Sequence, residues 1–320
     1  MNIRSPLLIL CCTAALAACG GQDGPAAGQA SAAADVPAGS LKIQTARGEA
    51  VVPQNPERVA VYDLGAIDTL NKLGVKIGAS VDSQNLPYLD AALKDTVKAG
   101  TLFEPNYEAL NAYNPQLIII GSRMAKDKVL GELEKLAPTI EMTAKTDNMK
   151  ESAKERIDAY GKIFNKQAEA DALKAEIDKS FAEAKAAAQG KGKGLVVLVN
   201  AGKLSAFGAD SRLGGWIHRD IGVPVADDGI KEGSHGQPVS FEYIKEKNPD
   251  WLFVLDRGAA IGEEGQAAAK VLDNPLVAQS TAWKKGQVVY LPPETYLAAG
   301  GAQELLNAST MLKDAFSKAK

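Results

Sequence analysis

Two α/β lobes, each built on a mainly parallel sheet flanked by helices and joined by one long helix, are predicted by three features of the 320-residue sequence. Short apolar runs alternate with helix-period segments along residues 58–142 and again along residues 194–319. A helix–Asn-Pro–strand unit occurs once in each of these halves. Between them, residues 148–190 are rich in Ala, Lys and Glu and contain no proline.

In the first half, 58–62 (RVAVY) follows Pro53 and Pro56 and reads as a strand. Residues 63–73 then place Leu64, Ile67, Leu70 and Leu73 at helical spacing, and Gly74 stops the helix. Residues 75–79 are the next strand, 106–112 a short helix and 117–120 (LIII) a buried strand. A helix over 126–136 and a strand over 139–142 complete the lobe. In the second half, strands are expected at 195–199, 251–255 and 288–290, with a shorter one at 205–207. Helices are expected at 214–221, 242–247 and 302–319. The middle segment reads as two helices, weakened at Gly161. The second, over 166–188, carries Ala170, Leu173, Ile177 and Phe181 three or four apart. At about 1.5 Å per residue it reaches roughly 35 Å, enough to join two lobes and to limit their opening. Gly190, Gly192 and Gly194 then turn the chain into the second half.

The repeat is specific. Tyr107-Glu108 begins a short helix that ends at Asn114-Pro115 before strand 117–120, and Phe241-Glu242 begins one that ends at Asn248-Pro249 before strand 251–255. An arginine follows each strand, Arg123 or Arg257.

Composition narrows the function. The chain has 36 Lys and Arg against 39 Asp and Glu, a net charge of −3, so it lacks the basic excess of a general nucleic-acid binder. There is no G-x-S-x-G, no glycine-rich phosphate loop and no His/Cys cluster, and only two histidines are available for acid–base work. An enzyme is therefore not expected. Residues 2–18 (NIRSPLLILCCTAALAA) pair a basic start with an apolar stretch too short to span a bilayer, as in a secretory signal. Leu16-Ala17-Ala18-Cys19 resembles the processing box of a bacterial lipoprotein, which implies cleavage before Cys19 and lipid on it. The other reading is an ordinary secretory peptide with an incidental cysteine. Residues 19–40 are a Gly/Ala/Ser/Gln tether, and the expected domains are then 41–147, 148–190 and 191–320. Cys11 and Cys12 leave with the signal, so the folded body carries no thiol and no disulfide.

Ligands of open parallel sheets bind beyond the carboxyl ends of the strands. Arg123 and Lys126 follow strand 117–120, Arg257 follows strand 251–255, and Arg212 precedes the 214–221 helix. Together these cations suit an anionic ligand, although each alone also fits a surface salt bridge. His235, in a polar glycine-flanked loop, and Tyr296, in the loop 292–301, could complete the coordination of a metal that arrives already chelated. For Tyr296, packing or a simple hydrogen bond is the other reading. His218, on the 214–221 helix, is expected to make a structural hydrogen bond.

Over residues 41–320 the chain resembles the periplasmic siderophore-binding lipoproteins of iron ABC importers, in particular the ferric enterobactin and related catecholate binders. The resemblance rests on Glu104-Pro105-Asn106-Tyr107-Glu108, Gly121-Ser122-Arg123 with Lys126, Ser211-Arg212-Leu213-Gly214, His235, Val239-Ser240-Phe241-Glu242, Asp256-Arg257 and Tyr296. It implies the two-lobed, helical-backbone periplasmic binding protein fold and a monomer tethered by its lipid to a membrane in the periplasm. It implies no permanently bound cofactor, the Fe(III)-siderophore being the transported ligand. Arg123, Arg212 and Arg257 would surround a ferric catecholate, with Lys126 at the rim and His235 and Tyr296 as iron ligands where the siderophore leaves positions open. Glu108 and Glu242 would dock on the permease dimer of the transporter, which works with its ATPase. The alternative reading is a binding protein of the same fold for another cargo: a hydroxamate siderophore, haem, cobalamin or a free metal ion.

Overall fold

A computed structural model of the chain describes residues 36–81, 86–231, 233, 235–263, 265 and 267–319. The expected signal segment 1–18, Cys19 and most of the tether lie outside the described residues. Residues 36–320 form one compact unit.

The unit opens with an antiparallel hairpin, β1 (Ser40–Thr45) and β2 (Gly48–Pro53), which the sequence reading did not resolve. The first lobe holds β3 (Val59–Val61), β4 (Ala79–Ser80), β5 (Val97–Lys98), β6 (Leu117–Ile120) and β7 (Thr139–Glu141), in the order β5-β4-β3-β6-β7 with every pairing parallel. All four residues of β6 are buried, as befits a strand covered on both faces. The strand expected at 75–79 shrinks to two residues. The Val75 N–H still bonds the Leu70 carbonyl across Gly74 (φ 71°), closing the helix Leu64–Lys72 in a Schellman turn before the sheet begins.

The second lobe holds β8 (Gly194–Asn200), β9 (Lys203–Phe207), β10 (Gln237–Val239), β11 (Trp251–Asp256) and β12 (Val288–Tyr290), in the order β10-β9-β8-β11-β12. This sheet is mixed. β8, β11 and β12 run parallel, while β9 folds back on β8 through Ala201 (φ 46°) and Gly202 (φ 75°), the paired positive φ of a tight hairpin turn. The expected helix at 214–221 is a single π turn, Trp216–Asp220, closed by Ile221 N–H on the Trp216 carbonyl at 3.1 Å. His218 is buried there, its Nδ1 2.8 Å from the Val223 carbonyl, which is the structural role expected of it.

The connection consists of two helices, Met149–Ile163 and Gln167–Ala188. The break falls at Asn165 (φ 53°) and not at Gly161, which stays helical. Gly161 is where the two helices meet, since a Cβ there would lie 2.7 Å from that of Ala170. The long helix buries Ala170, Leu173, Ile177, Phe181, Ala184 and Ala188 along one stripe and packs against the C-terminal helix Ala302–Lys318. One apolar core runs through both lobes by way of these helices, and a second fills the far face of the second sheet. No helix among the described residues is long and apolar enough to cross a membrane.

Candidate functional site

The repeated unit is built alike in both lobes. Asn106 Oδ1 accepts the Ala109 N–H at 3.0 Å and starts the helix Tyr107–Tyr113, and Ser240 Oγ accepts the Tyr243 N–H at 3.3 Å and starts Phe241–Lys247. Asn114 (φ 52°) and Asn248 (φ 42°) end these helices in the left-handed conformation that asparagine tolerates. Proline then keeps the chain from continuing as helix and hands it to β6 or β11. Glu108 and Glu242 therefore occupy matching places, exposed in the first turn of each short helix.

Each lobe presents its arginine at the carboxyl end of a central strand. After β6, Met124 N–H bonds the Gly121 carbonyl at 3.0 Å, and the half-buried Arg123 lies in this turn. Lys126 is exposed at the N-cap of the helix Asp127–Leu133. After β11, Asp256 caps the helix Arg257–Ile261 by accepting the Ala259 N–H at 3.0 Å, and its second oxygen accepts the Ala268 N–H at 2.6 Å. Thus anchored, Arg257 donates from Nε to the Tyr296 hydroxyl at 3.2 Å and from Nη1 to Asn200 Oδ1 at 3.3 Å. Glu263 lies 3.7 Å from Nη1.

Arg212 arrives by a less direct route. Phe207, the last residue of β9, is in register with Val196 near the start of β8, whereas Arg257 follows the far end of the sheet. The loop after β9 is wound tightly: Ser211 Oγ donates to the Gly208 carbonyl at 2.7 Å and accepts the Gly214 N–H at 2.9 Å. Gly214 sits against the Gly208 carbonyl, where a Cβ would come within 2.8 Å. This winding carries the Arg212 guanidinium to 4.9 Å from the centre of the Tyr296 ring, a cation–π distance.

The electrostatics follow from that convergence. Burial is the largest influence on Arg212 and lowers its pKa. The Tyr296 oxygen works the other way, and the positive charge of Arg123 lowers the pKa further, so the two arginines from different lobes lie within electrostatic reach. Burial alone would raise the Tyr296 phenol. The Arg257 hydrogen bond and the charges of Arg212 and Arg257 outweigh it and hold the pKa below the ordinary tyrosine value. Ultraviolet titration of the tyrosines should accordingly find one that ionises at lower pH than the rest. Arg257→Gln should move that midpoint upward, because it removes the cation that favours the phenolate. An unmoved early-ionising tyrosine would assign the effect elsewhere.

Arg212 and Arg257 thus each contact Tyr296, and Arg123 lies within electrostatic reach of Arg212. His235 is exposed in the turn before β10, and neither it nor Lys126 touches this group among the described residues. Tyr296, expected in a loop, lies on the short helix Glu294–Leu297, nucleated by Pro292 and Pro293, whose carbonyls accept the Thr295, Tyr296 and Leu297 amides. Sequence reasoning missed Asn200 and Glu263, which hold Arg257. Asn200 had a signal, being polar at the end of an apolar strand, whereas Glu263 had none. Among the described residues no three His, Cys, Asp or Glu side chains converge in a manner suited to a metal ion. The site is a concentration of guanidinium groups around one acidified phenol, and it can hold a large anion by directional charge-assisted bonds.

Residues 59–295 match the family described as Periplasmic binding protein. The chain is 39% identical over 308 residues to the petrobactin-binding protein YclQ of Bacillus subtilis, covering 95% of both chains. Its fold superposes on the crystal structure of YclQ with a TM-score of 0.83, covering 87% of this chain and 99% of that one. It is 34% identical over 264 residues to the ferric-anguibactin-binding protein FatB of Vibrio anguillarum, covering 80% of this chain and 81% of FatB. The periplasmic catecholate-siderophore binding protein VctP of Vibrio cholerae matches with 31% identity and a TM-score of 0.80, over 86% of this chain and 99% of VctP.

Proposed function

The chain belongs to the periplasmic binding protein family, and from that premise we propose that it captures a ferric siderophore between its lobes and delivers it to an ABC permease for iron uptake. It is a transport protein and not an enzyme. The observation that carries the site is the convergence of Arg212 and Arg257 on Tyr296, with Arg123 of the other lobe within electrostatic reach of Arg212. In the finer reading the cargo is a ferric catecholate. A ferric tris-catecholate is a trianion, which three partly desolvated guanidiniums oppose in sign and match in number. The catecholate-siderophore binder VctP among the similar structures supports this reading.

In this reading Arg123, Arg212 and Arg257 grip the anion and Lys126 stands at the rim. Tyr296, with its lowered pKa, offers a phenolate oxygen to iron, and His235 closes from its exposed turn. Glu108 and Glu242 dock on the permease, and acylation of Cys19 tethers the protein to a membrane in the periplasm. The second reading, a cargo other than an enterobactin-type catecholate (a hydroxamate siderophore included), is favoured by the names of the relatives at 39% and 34% identity. These name petrobactin and ferric anguibactin and not enterobactin.

Tryptophan-fluorescence titration with Fe(III)–enterobactin, a ferric bis-catecholate, Fe(III)–petrobactin, Fe(III)–desferrioxamine B and ferric citrate separates the readings. Retention of iron through gel filtration confirms each hit. Preference for enterobactin and the bis-catecholate supports the first reading, and preference for petrobactin, desferrioxamine B or ferric citrate supports the second. Silence with every chelate removes the proposed function. Within the catecholates, His235→Ala should weaken the bis-catecholate complex more than the tris-catecholate one, since only the former leaves iron positions open. Equal losses would argue against direct coordination.

A further inference from the structure

We infer that Asp68 is a positioning residue that fixes one wall of the cleft against the other by capping, from the first lobe, the helix that follows Tyr296. The helix Ala302–Lys318 begins at Gly301, which has no side chain to satisfy the first amides. The missing acceptors come from residues more than two hundred positions earlier. Asp68 Oδ1 accepts the Gln303 N–H at 2.7 Å, Asp68 Oδ2 accepts the Glu304 N–H at 3.1 Å, and Thr69 Oγ1 accepts the Ala302 N–H at 3.1 Å. Tyr88 secures the carboxylate by donating its hydroxyl to Oδ2 at 2.6 Å. Asp68 is fully buried, and Gly301 lies so close that a Cβ there would overlap its carboxyl group.

The cap lies between the two halves of the binding site. Downstream of Tyr296 the chain runs only five residues before it meets Asp68 at Gly301. On the same first-lobe helix, Gly65 packs against the Ala298 and Ala299 carbonyls. The residue before that helix, Asp63, pairs with the buried Arg156 at 3.2 Å and abuts Gly121, two residues before Arg123. One helix thus touches both the turn that carries Arg123 and the segment that carries Tyr296. Burial pushes the Asp68 carboxyl up to about 6, against the bonds from Tyr88, Gln303 and Glu304 and the charge of Arg156, all of which favour the doubly accepting carboxylate.

The inference rests on the proposed function only for the binding half of its test. In the full-length protein, Asp68→Ala should speed amide hydrogen exchange over residues 292–305 while leaving β6 and β11 protected, where a general loss of stability would expose all three. The same variant should raise the Kd for Fe(III)–petrobactin or Fe(III)–enterobactin about tenfold. Asp68→Asn keeps one acceptor, enough for the Gln303 amide, but turns an N–H donor toward the Glu304 amide, so it should recover only part of the protection, with a Kd between those of wild type and Asp68→Ala. Should Asp68→Ala fail to fold, Thr69→Val and Asp68→Asn carry the test: Thr69→Val should speed exchange at Ala302 and weaken binding by a few-fold. Unchanged exchange over 292–305 in Asp68→Ala and Thr69→Val, or faster exchange there with a wild-type Kd, overturns the inference. A wild-type protein that binds neither chelate overturns the proposed function instead, and the exchange measurement, which needs no cargo, still decides the role of Asp68.

Discussion

Arg257→Ala should weaken binding of an anionic ferric chelate by about ten- to a hundredfold, and Arg212→Ala should do the same. A hydrogen bond to a charged group contributes about 1.5–3 kcal/mol, which spans that range. Both arginines belong to the upper part of it for reasons of geometry. Arg257 is aimed by Asn200 and by the Asp256 cap beneath it, so little side-chain freedom remains to be lost when a ligand binds. Arg212 is held over the Tyr296 ring by a tightly wound loop and is already partly stripped of water, so its charge is poorly screened. Losing either also lets the Tyr296 pKa rise toward its ordinary value, which withdraws a negative oxygen that iron would favour. Fluorescence titration measures the loss. Wild-type affinity in both variants would place the site away from these residues.

The charge-reversed double variant Glu108→Lys with Glu242→Lys should bind ferric siderophore as the wild type does and yet fail to support iron uptake in cells. Both glutamates are exposed, in the first turn of matching helices. Neither contacts Arg123, Arg212, Arg257 or Tyr296 among the described residues, so the cleft should not register the change. A partner surface that offers cations to both would meet like charge at two points, and such juxtaposition costs several kcal/mol. Uptake of radioactive iron against chelate affinity in the purified protein separates the two effects. Normal uptake by the double variant removes the docking role, and lost affinity would show that the helices support the cleft.

Much of the fold could be read from local pattern. The four consecutive apolar residues 117–120 could only be a strand covered on both sides, and all four are buried. Ala170, Leu173, Ile177 and Phe181 mark the buried stripe of the long helix because helical spacing repeats wherever one face meets a core. Failures came where a neighbour overrode the local signal. Gly161 looked like a helix breaker and is instead the contact where two helices pass closely. The strand at 205–207 was visible, but its antiparallel direction was not, because direction depends on the turn at Ala201-Gly202 and not on the strand's own residues. The hairpin β1–β2 escaped notice because its faces are only weakly differentiated, with Val51 left exposed beside the buried Val52.

By itself the sequence determined the two-lobe α/β architecture, the long helical connection, the repeated helix–strand unit that sets Glu108 against Glu242, and the arginines that follow the central strands. Each of these follows from interactions among residues close along the chain: periodic burial, side-chain caps, and the backbone limits of Asn, Gly and Pro. Only the tertiary structure decided that Arg212 returns along a wound loop to meet Tyr296, that Asn200 aims Arg257, and that Asp68 caps a helix beginning at Ala302. These contacts join segments far apart in sequence. Such contacts depend on how the two lobes pack on their shared core, and packing depends on the shape of the whole fold, which no local spacing encodes.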